Sequence, residues 1–250
     1  KTIFLLLSLV VGASGFSQTN PVLEFAAGDG NPTGNGYATS TTIKLMSNTD
    51  NPTGNTFSAY NTPSALTVSA VLSNQQRQYS STGNNAVVFG YLSTGASPIF
   101  PTVNAVGGVL SSYFSSTNAS TGIDVAQNRA IQVTLIATPL QVANVASNAR
   151  VQMADITFTF SRPVNNPILH IGGLGGAYGN QLFYTDCEFL SANTPVTFNK
   201  LSGTSYFNVT TTNVTNSSST VAGYGNGDNA GSGSVQLTGT GITTVTLRLY

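Results

Sequence analysis

Apolar side chains recur at every second position in several stretches of this chain, the period of a half-buried β-strand. In residues 41–45, Thr41, Ile43 and Leu45 share one face. Leu66, Val68, Ala70 and Leu72 line the next run, and Ile131, Val133, Leu135 and Ala137 another. Ile156, Phe158 and Phe160 alternate with threonines, as do Val245, Leu247 and Leu249 with Thr246 and Arg248. Residues 86–92 (AVVFGYL) are continuously apolar, which suits a central strand covered on both faces. Val151 and Met153 fall in the opposite phase to Ile156, so a bulge near Ala154 and Asp155 is expected.

Turn-forming residues punctuate these runs at 31–36, 51–55, 81–84 and 225–228. The pentapeptide Asn-Pro-Thr-Gly-Asn stands at 31–35 and again at 51–55, too few copies for a solenoid. Short strands, Thr and Val enrichment and Gly/Asn/Pro punctuation predict an all-β fold. The expected form is an antiparallel β-sandwich of jelly-roll or Ig-like type, with few or no helices. Residues 18–250 are read as this one domain, with a sub-boundary near 143–148 as the alternative division.

Residues 1–17 break the strand pattern. Lys1 precedes the apolar run Ile3–Val11, and the small-residue exit 12–17 follows. This is the layout of a secretory signal peptide, and the run is far shorter than the ~20 residues of a membrane span. The expected destination is extracellular. Charged residues are only 6% of the chain and net charge is zero, against ~25% charged in ordinary domains. Phosphate binding needs clustered Lys and Arg, so nucleic acid is not an expected partner. An uncharged polar surface also removes the repulsion that keeps copies apart.

Few residues offer chemistry. The single cysteine, Cys187, excludes an internal disulfide and reads as a small buried residue. The single histidine, His170, lacks the partners of a tetrahedral zinc site and reads as strand packing or a rim hydrogen bond. Gly172 to Gly176 (GGLGG) reads as a flexible turn and Gly231 to Ser234 as a linker. Asp186 and Glu188 flank Cys187, so on a strand both carboxylates face one way. They are the candidate metal ligands, suited to Ca²⁺ with help from loop acids such as Asp29 and Asp228, or else paired to arginine. Otherwise no cofactor is expected. Tyr37, Tyr60, Tyr79 and Tyr178 fall near loops and are candidates for stacking on a sugar, or rim tyrosines with wet hydroxyls. Sequon matches at Asn118, Asn208, Asn213 and Asn216 are expected by chance in so Asn/Ser/Thr-rich a chain.

The exit Gly15-Phe16-Ser17-Gln18 is similar to leader-cleavage sites of exported Bacteroidetes (flavobacterial) proteins. Residues 157–176 and 231–247 resemble a β-sandwich module of large cell-surface proteins from those bacteria. The resemblance covers about residues 150–250. It implies an adhesin-like surface protein, a type IX secretion substrate, and supplies no catalytic residues. No sorting domain follows Tyr250, which leaves a longer chain or another route open.

The expected function is therefore non-enzymatic: surface structure, adhesion or filament assembly, with partners that are other copies, surface proteins or glycans. Residues 18–25 and 210–220 are the expected donors for strand addition. The alternative is a carbohydrate-binding module, Ca²⁺-dependent or not. A hydrolase using Asp186 and Glu188 and an outer-membrane barrel ending at Tyr250 fit the pattern less well; barrel strands run ~10 residues and most runs here are shorter.

Overall fold

A computed structural model describes residues 23–24, 30–48, 56–79, 83–90, 97–105, 108–115, 123–146, 148–178, 181–217 and 230–250. The leader, the second Asn-Pro-Thr-Gly-Asn copy, Asp29, Asp228 and Asn118 lie outside them. The fold is all-β, built from antiparallel sheets.

Ten strands make the two main sheets: β1 (Ser40–Lys44), β2 (Thr67–Ser73), β3 (Ala154–Val164), β4 (Ile168–Leu174), β5 (Cys187–Ala192), β6 (Thr197–Gly203), β7 (Phe207–Val209), β8 (Asn213–Asn216), β9 (Gly231–Thr238) and β10 (Ile242–Leu249). The larger sheet has seven strands in the order β7-β8-β5-β10-β3-β2-β1, and the smaller has three in the order β4-β9-β6. A third sheet pairs Tyr37–Ala38, Val87–Gly90 and Val133–Leu135.

Alternation sets the registers. On the inner face of the seven-stranded sheet Ile156 lies between Leu72 and Leu247, and Phe158 between Ala70 and Val245. A large ring beside a small neighbour fills the layer without crowding it. Val235, Leu237 and Phe198 of the smaller sheet are buried in the same cluster, together with Val87 and Phe89. Phe189 of β5 meets Phe198 of β6 edge to face, with ring centroids 5.9 Å apart.

The bulge expected at Ala154 and Asp155 is not there. Met153 stands just before β3, its N–H donating to Leu249, and the register shift falls between Thr159 and Val164. Of residues 131–137 only Val133–Leu135 forms a strand, because a short helix, Thr138–Val142, starts immediately after with Pro139 in its first turn. Leu140 and Ala154, on either side of the sub-boundary considered at 143–148, pack into one core.

The segment 231–234 is strand, not a linker, and the expected turn at 172–176 narrows to Gly175, whose N–H donates to the Gly173 carbonyl at 2.8 Å between two strands. Gly172 and Gly173 lie inside β4, where Gly173 adopts φ +78° at a register shift. Gly233 of β9 sits opposite Gly203 of β6, and the Phe207 ring lies over both. A Cβ on Gly203 would stand 2.7 Å from that ring. Glycine here lets two backbones and a ring approach closely.

The far face of β9 carries Ser232 and Ser234, both fully buried beneath the segment containing the turn Ser111–Tyr113. Phe114, Val109, Ile123 and Val125 form a second apolar cluster there.

Of the strand donors expected from sequence, residues 18–22, 25 and 218–220 lie outside the described residues, and the strands within the rest are already paired. Asn213–Asn216 is paired on both sides, by β5 and by β7. Leu23–Glu24 pairs with Met46–Asn48. At the β1 edge, the Asn31 side-chain oxygen accepts the Lys44 N–H at 2.6 Å and its amide donates to the Lys44 carbonyl at 3.2 Å. Asn31 thus opens a loop that blunts a sheet edge.

Candidate functional site

The outer face of the seven-stranded sheet gathers the polar residues left by the alternation. Three rows cross it. Thr42, Ser69, Thr159 and Thr244 are aligned in the first. Ser40, Val71, Thr157, Thr246 and Ser191 form the second. Ser73, Asp155, Arg248, Glu188 and Asn213 form the third. The Thr157 and Thr246 hydroxyls are 2.9 Å apart and bonded to each other. The first two rows carry no charge; the third carries Asp155, Arg248 and Glu188, and Lys44 of β1, opposite Thr67, stands on the same face beside the first row.

In that third row Arg248 lies between two acids. Its Nε donates to Asp155 Oδ1 at 2.8 Å and its Nη2 to Asp155 Oδ2 at 3.2 Å. Asn74 adds an amide donor at 3.1 Å. The Asp155 side chain is only 8% exposed. The Arg248 hydrogen bonds outweigh burial and, with Asn74, hold its carboxyl below the usual carboxylate range.

Asp186 and Glu188 do converge, and an arginine lies between them. Arg150 Nε donates to Asp186 Oδ2 at 3.1 Å, and both Arg150 Nη atoms donate to Glu188 Oε2 at 3.2 Å. The Tyr250 hydroxyl donates to the same Glu188 oxygen at 2.7 Å. The Arg150 guanidinium also stacks on the Tyr250 ring, 3.4 Å from its centroid. The Tyr250 bond, opposed by burial and aided by Arg150, keeps Glu188 ionised to lower pH. A cation at these carboxylates would have to displace the guanidinium. Among the described residues no three His, Cys, Asp or Glu side chains gather as a metal site requires. What the cluster does chemically is brace the end of the sheet. Because the Arg150 side chain is 43% exposed, an Arg150→Ala chain is expected to lose under ~1 kcal/mol, read from urea midpoints.

The four tyrosines are scattered over the chain. Tyr37, on Tyr37–Ala38, is 55% exposed. Tyr60 has one ring face taken by Arg162, whose guanidinium lies 4.9 Å from the centroid. Tyr79 lies on Gln78–Tyr79 and Tyr178 on Gly176–Tyr178.

His170 and Cys187 face inward. His170 Nδ1 is 2.7 Å from Ser234 Oγ, which also accepts the Ser115 N–H at 3.0 Å. The imidazole meets Phe114 edge to face. Burial pushes His170 down to about 4, below its unfolded value of ~6.5. The unfolded chain therefore binds the extra proton more readily. Stability should be full above ~6.5, fall by up to about 3 kcal/mol as pH drops toward 4, and level off below. Urea titrations across that range should show the slope, and a His170→Gln chain should flatten it. Burial and the Asp186 charge push the Cys187 thiol up to about 12.

Arg150, Arg248 and Tyr250 were not legible as site residues. The one signal was a charged residue at an outward position of an otherwise Thr-lined strand, which marks Asp155 and Arg248. No family model, curated protein or solved structure matches the chain. Among the described residues no helix is long and apolar enough to cross a membrane.

Proposed function

We propose that this chain is an exported cell-surface protein with a structural or adhesive role and no catalytic activity, of the Bacteroidetes type that sequence resemblance suggests and carried by type IX secretion. Filament assembly from copies of itself is one form of that role. The observation that carries the reading is the outer face of the seven-stranded sheet, whose two uncharged rows of hydroxyls present a broad contact surface. The groups with catalytic chemistry support it from the other side. Asp186 and Glu188 are committed to Arg150, and His170 and Ser234 to holding the segment over β9. The test is display of the chain on a heterologous bacterium. Attachment to abiotic, protein-coated and polysaccharide-coated surfaces should rise over an empty-vector control, as should clumping of the cells. No rise on any surface and no clumping would defeat the reading.

A carbohydrate-binding module is the second reading, favoured by the exposed ring of Tyr37. Calcium dependence of any glycan binding, measured with and without chelator, tests the involvement of Asp186 and Glu188.

A further inference from the structure

We infer that the hydroxyl rows of the seven-stranded sheet are a docking face for a neutral, extended polysaccharide, an inference that rests on the contact-surface reading above and names its partner. Antiparallel strands stand ~4.8 Å apart and alternate residues ~6.8 Å apart along a strand, so aligned Thr and Ser hydroxyls form a two-dimensional grid. Thr159 and Thr244 are directly opposite each other, as are Thr157 and Thr246. Each hydroxyl both donates and accepts, which matches a ligand that does the same. Val71, 41% exposed in the middle row, gives the grid one apolar spot for the C–H surface of a sugar.

The chemistry of the face disfavours the other partners. Cores of protein–protein interfaces are rich in aromatics, Met and Arg and poor in Ser; the first two rows hold none of the former. A polyanion needs clustered cations; the arginine of the third row is paired with Asp155, and Lys44 at the sheet edge is a single charge. A lipid surface needs a broad apolar patch. A neutral hydroxylated polymer is the match for a neutral hydroxylated grid. With no aromatic platform in these rows, each contact is weak, and binding depends on polymer length rather than on one tight subsite.

The test is pull-down of the purified chain on insoluble neutral polysaccharides (cellulose, chitin and agarose), on the anionic polymer alginate, and in competition with short oligosaccharides. Retention on at least one neutral polymer is expected, unchanged by added salt and poorly competed by the oligosaccharides. The double substitution Thr159→Val/Thr244→Val keeps the β-branched shape while removing two hydroxyls, so it should fold with an unchanged melting temperature and bind ~10-fold more weakly. A Tyr37→Ala chain should bind like the parent. Retention on alginate alone, full binding by the double variant, or loss of binding in Tyr37→Ala alone would overturn the inference. So would dimerisation through this face, or uptake into growing ice, with no polysaccharide retained. Displayed cells that adhere although the purified chain binds no polysaccharide would sink this inference and leave the adhesive role standing; failure of both assays would sink both.

Discussion

A Gly233→Val chain is expected to lose about 3–5 kcal/mol, read as a collapse of the urea midpoint, or to fail to fold. Gly233 faces Gly203 across two strands, and the Phe207 ring lies on the pair. A Cβ at Gly233 would lie 2.7 Å from the Gly203 Cα and run into the Ser202 carbonyl. Two of these obstacles are backbone, which cannot swing aside as a side-chain tip would. Gly241→Ala is the control. That position has φ +67° but open space around it, so only backbone strain of about 1 kcal/mol should appear. Equal losses at the two sites would refute the close-packing account.

An Arg248→Ala chain should show the second large effect, a marked fall of the urea midpoint at neutral pH, because it strands a buried carboxylate. The pH dependence separates this from lost packing. In the parent, Asp155 titrates below its unfolded value of ~3.9, so its contribution is complete above that value and vanishes as pH falls through the folded one. Without Arg248 the carboxylate is penalised by burial, and taking up a proton relieves it. The gap between variant and parent should therefore narrow as pH falls from 6 toward 3. A constant gap would assign the loss to the arginine stem. Arg150→Ala, at the more exposed pair beside it, should cost several times less.

The half-buried strands at β1, β2, β3 and β10 were legible because one wet face and one dry face impose a period of two. The smaller sheet was not. Residues 172–174 and 231–234 carry the composition of turns and linkers, yet they are strand, with Gly172 packed against Val109 and Phe114 and Gly233 against Phe207. There, glycine and serine record closeness of approach rather than freedom, and composition alone does not separate the two. The joint facing of Asp186 and Glu188 followed from alternation. Their arginine did not, since Arg150 lies 36 residues before Asp186 and only the fold brings it there.

Sequence order and spatial order diverge at the heart of the seven-stranded sheet. β10, which follows all the other strands of the sheet in sequence, lies between β5 and β3 and pairs with both. A nascent chain lacking residues 242–249 has no sheet centre on which those two strands can close. Synthesis of residues 242–249, rather than emergence of the first strands from the ribosome, becomes the event that permits folding. Until then the sheet stays open, and its long-range pairings make the closure that follows slow.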